Sequence, residues 1–236
     1  MPDPVVLIPG LMCDARAFAP QIAALSATRA VQVAPATRNE RLEEMAEAVL
    51  DDAPDRFALA GHGLGGMVAM EVLRQRPDRV LRIALIGTGA LSETPEAAAA
   101  REPQIAAVRA GRLEDVMRDE IAPRCLGPGP RRVEVLNTVM EMARALGPDI
   151  FVRQSRALQR RRDQQAVLKA AKVPALVLCG REDPIHPMRG HEFMAKLLAG
   201  AAFETIDGAG HLPMLEDPEA TNAALGRWLT GTLLLK

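Results

Sequence analysis

At 236 residues, 48% hydrophobic and 25% charged, with a formal net charge of −1, the chain is too apolar and too evenly charged for a disordered segment, a polyanion binder or an acidic tail. Its length suits one α/β domain with an inserted lobe better than two independent domains. Three widely spaced cysteines, Cys13, Cys125 and Cys179, exclude a disulfide framework and a paired-cysteine zinc site, and they fit a reducing cytoplasm.

The opening "MPDPVVLIPG" has no basic leader and too short an apolar run for export, so Met1 is read as the start of a mature cytosolic chain. No stretch approaches the ~20 apolar residues needed to cross a bilayer, and neither a membrane nor a nucleic-acid partner is expected. Short β-branched runs then alternate with segments of helical period, the pattern of crossover units in a mostly parallel sheet. Strands are predicted over 5–8, 30–33, 57–60, 81–86, 175–179 and 203–206, and helices over 17–26, 41–51, 64–75, 190–198 and 219–229. Within 41–51, Leu42, Met45, Ala46, Val49 and Leu50 share one face and the acids the other, so this helix packs on a sheet. The alternation fails between Thr88 and Val173, where helical periods are broken at Gly127-Pro128-Gly129-Pro130 and at Gly147-Pro148. This divides the chain into a core of residues 1–88 and 173–236 and a helical cap of residues 89–172 above the crevice where ligands bind.

The stretch "ALAGHGLGGMVAM" carries a glycine-dense turn from a predicted strand into a predicted helix. Gly61, Gly63 and Gly66 match G-x-G-x-x-G, a dinucleotide cradle. Against that reading, the next strand ends in "IGTGA" with no acid for a ribose, the turn follows the third strand rather than the first, and no Walker-type lysine follows. The same turn fits the nucleophile elbow G-x-S-x-G, whose crowded bend needs glycine on both flanks, here Gly61 and Gly65. The central position, held at positive φ, is occupied by Gly63, which is comfortable there and chemically empty. An acid and a histidine follow in the order elbow sites use: Asp183 after the strand "VPALVLCG" and His211 after the strand "AFETIDG".

With "LIPGLMCDARAF", "AGHGLGGMVAM", "LVLCGREDPIHP" and "IDGAGHLPMLEDPE" in this order, the chain resembles the α/β-hydrolase superfamily over nearly its whole length, as a capped, esterase- or lactonase-like member. The resemblance implies a sheet of about six strands beginning at the family's third, in the order 4-3-5-6-7-8 of the family's numbering, flanked by helices. It implies that Asp183 orients His211, that His211 acts as general base and then acid, and that the backbone N–H groups of Leu11 and Leu64 form an oxyanion hole. The parent chemistry is hydrolysis of a small carboxylic ester or lactone through an acyl-enzyme, with no cofactor and no metal. Gly63 leaves several readings open: a hydrolase disabled at its nucleophile that still binds ligand, a nucleophile-free enzyme using Asp183 and His211 as a general base, a non-catalytic small-molecule binder, or the nucleotide cradle. The sequence leaves the oligomeric state open.

Other residues take structural readings beside functional ones. His62 and His191 are read as structural, His186 as a neighbour of the site, and Cys13 as a wall of the pocket or a small buried hydrophobe. Arg153, Arg156 and Arg160 lie near one helical face, as a solvated face or as an anion-tolerant entrance. Met140, Met142 and Phe151 line an acyl pocket or pack the cap on itself.

Overall fold

The computed structural model describes residues 2–231, so Met1, read above as the chain start, lies outside the described residues. The six strands are β1 (Val5–Ile8), β2 (Val31–Val33), β3 (Phe57–His62), β4 (Val80–Ile86), β5 (Ala175–Gly180) and β6 (Ala202–Ile206). They form one parallel sheet in the order β2-β1-β3-β4-β5-β6, with Leu7 beside Ala60 and Ile86 beside Leu178. This is the order that the resemblance implies. In chain order the helices are α1 (Ala19–Ser26), α2 (Leu42–Asp52), α3 (Leu64–Gln75), α4 (Pro95–Arg109), α5 (Leu113–Asp115), α6 (Arg132–Leu146), α7 (Pro148–Gln159), α8 (Gln165–Ala170), α9 (Met188–Leu197), α10 (Pro213–Glu216) and α11 (Pro218–Thr230).

Alternate side chains of the central strands feed two cores. Leu7, Ala58, Ala60, Ile86 and Leu178 pack on one face, and Ile8, Leu59, Leu85 and Val177 pack on the other. Both faces are covered by helices, which is why these strands read as continuous apolar runs rather than as a polar alternation. As the sequence suggests, α2 turns Leu42, Met45, Ala46, Val49 and Leu50 inward.

Several element ends shift by one or two residues from expectation, and two of the differences have a clear physical reason. Strand β3 runs on through Gly61 and His62, because the ladder to Leu85 and Ile86 continues although glycine alone disfavours a strand. The helix expected from residue 17 begins instead as a 3₁₀ turn, Ala15–Phe18, capped by the Asp14 carboxylate accepting from the Arg16 amide, and α1 starts at Ala19.

Between β4 and β5 the described residues contain α4 to α8 and no strand. Helix α5 runs into a wide π turn at Val116–Ile121, α6 starts just past the Gly-Pro pairs, and Gly147 at φ 81 opens α7. Met140, Met142 and Phe151 are buried in the packing of these helices. Among the described residues no helix is long and apolar enough to cross a membrane.

Candidate active site

In a parallel sheet the loops leaving the carboxyl ends of the strands share one edge. Here they carry Leu11 after β1, Gly63 after β3, Gly87 after β4, Asp183 after β5 and His211 after β6. Gly63 has φ 52 and ψ −118 as α3 begins. The bend is so tight that a Cβ on Gly61 would strike the Gly65 carbonyl, and one on Gly65 would strike the Ile8 carbonyl. Thr88 secures the turn, its hydroxyl donating to the Gly63 carbonyl at 2.7 Å, and its side chain fills the space that a Cβ on Gly66 would need.

A Cβ built on Gly63 would stand 3.2 Å from His211 Nε2. His211 Nδ1 lies 2.9 Å from Asp183 Oδ2. A carboxylate only accepts, so the neutral imidazole carries its proton on Nδ1 and presents an unprotonated Nε2 toward Gly63. Burial opposes ionisation of Asp183, but His211 and the amides of Ile185 and His186, at 2.8 and 3.0 Å from Oδ1, outweigh it and hold the carboxyl well below the usual carboxylate range. His62, at 4.6 Å between ring centroids, donates from Nε2 to the His211 carbonyl at 2.8 Å, and burial together with the nearby His211 pushes it down to about 3. It is a neutral prop for the histidine loop.

On the first loop, Met12 takes φ 51, uncommon for a residue with a side chain. Its amide donates to Gln154 Oε1 at 2.8 Å, and Gln154 Nε2 donates to the Ala36 carbonyl at 2.8 Å. The buried Gln154 of α7 thus fixes the loop that carries Leu11. Among the described residues the Leu11 and Leu64 amides donate to no protein acceptor.

Gln154, Glu216 and Gly87 escaped the sequence reading. Glu216 is buried and accepts from three backbone amides: Gly127 at 2.7 Å, Gly210 at 3.0 Å and Leu212 at 3.0 Å. Nearby, the His211 amide donates to the Cys125 carbonyl at 2.7 Å. Glu216 therefore ties the histidine loop to the inserted helices. Gly87, at φ 50, lies under the pair, and its Cβ would meet the His211 carbonyl at 3.0 Å and Nδ1 at 3.3 Å. The one available signal was the acid five positions beyond His211 in "HLPMLE", whose target is visible only in three dimensions.

Glu216→Ala strips those three buried amides of their acceptor and is expected to destabilise the fold by about 3 kcal/mol in urea unfolding. Glu216→Gln keeps one acceptor oxygen and is expected to cost clearly less. Equal stability of the alanine and native proteins would mean that the clamp contributes nothing.

Gly63→Ser is expected to lower stability by about 1 kcal/mol. Positive φ costs a side chain ~1–3 kcal/mol, partly offset by ~0.4–1 kcal/mol from a less free unfolded chain and by a hydroxyl bond to His211. Urea unfolding with matched m-values gives the sign, and a clearly more stable serine form would remove the strain argument.

The site opens into a cavity of about 420 Å³ lined by Cys13, His186, Arg101 and Arg161 among others. The His186 ring lies 5.6 Å from that of His211, tilted by 35°, and is pushed down to about 3, by burial first and by the nearby His211 second. His191 accepts from the Thr88 amide at 3.1 Å. Burial raises the Cys13 thiol far above its usual range and the Cys125 thiol to about 12, so neither is a thiolate at neutral pH.

For both groups of cap residues the structure favours the structural alternative over the pocket one. Arg153 reaches the Thr37 carbonyl, Arg156 pairs with Glu102 and Arg160 pairs with Glu40, and none of them lines the cavity; Arg161, the next in the run, does. Met140, Met142 and Phe151 do not line it either, whereas Met117 and Val139 do. Among the described residues no group of three or more His, Cys, Asp or Glu is placed to hold a metal.

The model of the Alpha/beta hydrolase family matches residues 5–224. A pimeloyl-(acyl-carrier protein) methyl ester esterase of Aromatoleum aromaticum is 32% identical over 199 residues, 77% of this chain and 77% of that protein. Among solved structures, a thermophilic esterase from Thermogutta terrifontis with malate bound matches with a TM-score of 0.88 at 27% identity, over 96% of this chain and 89% of that one. The enol-lactonase from Burkholderia xenovorans LB400 matches with a TM-score of 0.86 over 98% of this chain and 92% of that one, and at 23% identity the likeness speaks for the fold alone. The family match runs from the first strand into the last helix and takes in every loop that converges on the glycine turn, so the chain belongs to the alpha/beta hydrolase family.

Proposed function

We propose that this chain is a capped carboxylic ester or lactone hydrolase whose nucleophile position, Gly63, carries no reactive atom, so that it binds its substrate and does not turn it over by the acyl-enzyme route. The observation that carries this reading is the direction of Gly63: a side chain started there heads for His211 Nε2 from 3.2 Å. In the complete mechanism a serine hydroxyl would attack the ester carbonyl while His211 takes its proton, Asp183 would hold the imidazole tautomer, and the amides of Leu11 and Leu64 would receive the oxyanion. Gly61 and Gly65 let the elbow bend. Residues 89–172 serve as the cap over a core of residues 1–88 and 173–236. The relatives' names support an ester as the small-molecule substrate. Three buried, unpaired cysteines support a cytoplasmic setting.

The test is turnover of aryl esters by Gly63→Ser, argued in the Discussion. A second reading has its own support in the intact Asp183–His211 hydrogen bond: the pair acts as a general base on water, which yields ~10²–10⁴-fold assistance without a covalent intermediate. Under it, residual hydrolysis by the glycine form falls when His211 becomes alanine, and an unchanged rate would end this reading. Calorimetric titration with nicotinamide and adenine nucleotides is expected to give no heat of binding. Micromolar affinity would return the turn to the phosphate-cradle reading.

A further inference from the structure

The cavity wall holds a charge imbalance that ester hydrolysis does not explain. Glu93, its side chain 3% exposed, is shared by two arginines. Arg101 gives Nε and Nη2 to the carboxylate, both at 2.8 Å, and Arg161 gives Nη1 at 2.7 Å. Arg161 Nε is spent on the Leu91 carbonyl at 3.0 Å. Arg101 Nη1 and Arg161 Nη2 have no acceptor among the described residues. Both arginines line the cavity, and their side chains are 23% and 13% exposed.

Two cations against one anion leave a positive charge in a largely dry wall, a costly arrangement until an anion arrives. The other charged lining residues, Glu120 and Arg124, are exposed, and Glu120 is engaged by Gln104 at 3.0 Å. Burial is the main influence on Arg161 and pulls its guanidinium down despite Glu93. The wall is also within electrostatic range of the dyad's neighbours, since Arg161, after larger effects, helps to keep His186 neutral. A guanidinium with free N–H groups is matched in shape and charge to a carboxylate.

We propose that Arg101 and Arg161 bind a free carboxylate carried by the substrate, which makes the substrate class half-esters of dicarboxylic acids or lactones bearing an acid group. This rests on the ester reading only for what sits at Gly63. The ester carbonyl faces His211 while the acid end docks on the arginine pair, so that one molecule spans the cavity.

Because the glycine protein does not consume an ester through an acyl-enzyme, binding is measured directly by calorimetry with monomethyl glutarate, dimethyl glutarate and monomethyl phosphate. The half-ester is expected to bind about tenfold or more tighter than the diester, as charge-assisted hydrogen bonds are gained. Arg161→Gln, checked for folding by thermal unfolding, is expected to abolish that preference. Should it not fold, Arg101→Gln and the loss of half-ester affinity at high ionic strength make the same comparison. Equal affinity for half-ester and diester, no binding of either, or a preference retained in a folded arginine variant would overturn the proposal. Tighter binding of the phosphate than of the half-ester would overturn the assignment to a carboxylate. None of these outcomes touches the ester reading, which stands or falls on hydrolysis of neutral aryl esters by Gly63→Ser.

Discussion

Gly63→Ser is expected to raise hydrolysis of p-nitrophenyl esters by ~10⁴-fold or more, since removal of the nucleophile from a serine protease costs ~10⁶ in kcat while the remaining site keeps some rate. The rest of the site needs no rebuilding. A Cβ at position 63 arrives 3.2 Å from His211 Nε2, so the imidazole shifts by a few tenths of an ångström and the hydroxyl falls within hydrogen-bond reach. The expected gain is set below the full nucleophile effect because that small shift must be accommodated between Asp183 and the His62 prop. Both proteins are assayed on short-chain and medium-chain esters. A serine form no faster on any of them would sink the disabled-hydrolase reading.

Asp183→Asn in the serine background is expected to reduce kcat by ~10⁴-fold and to lower stability at neutral pH, where the carboxylate's contribution is fully present. The reason lies in how the carboxylate is held. Its Oδ1 accepts from two amides, of Ile185 and His186, so an asparagine must keep its oxygen there and turn its NH₂ to His211. An NH₂ group donates, which forces the imidazole proton onto Nε2 and leaves no lone pair facing the serine. A loss below tenfold would mean that His211 is not the base. The same pair sets an acid-stability difference. The folded carboxyl is depressed, so its contribution is fully present above the unfolded value near ~4 and is lost as pH falls toward the folded value. Acid titration of the aspartate protein should therefore show a destabilisation below about pH 4 that the asparagine protein lacks.

What the sequence revealed was local. Gly61 and Gly65 are required by atoms within one bend, and the strands by runs of a few residues, so both could be read from short stretches. The sheet order needed only the resemblance. What stayed hidden depends on contacts between distant positions. Gln154 reaches Met12 across 142 residues, and Glu216 reaches Gly127 across 89. The arginine run "RQSRALQRRRD" shows the same limit. Helical period put Arg153, Arg156 and Arg160 together, but which arginine enters the cavity is decided where α7 ends at Gln159, after which the chain turns Arg161 back to Glu93.

The seam between Cys125–Gly127 and the histidine loop couples the inserted helices to the catalytic pair. Gly127 and Gly210 lie so close that a Cβ on Gly210 would strike the Gly127 amide, and the His211 amide is bonded to the Cys125 carbonyl. Parting the helices from the loop at this edge would break the bond that holds the His211 backbone, so the seam is an anchor. At the opposite margin Glu93, Ala97 and Arg101 border the cavity, and there the Glu93 carboxylate ties the start of α4 to Arg161 just past the end of α7. The cap is thus moored at two separate edges, so a substitution that loosens the Glu93 mooring leaves in place the bonds that seat His211.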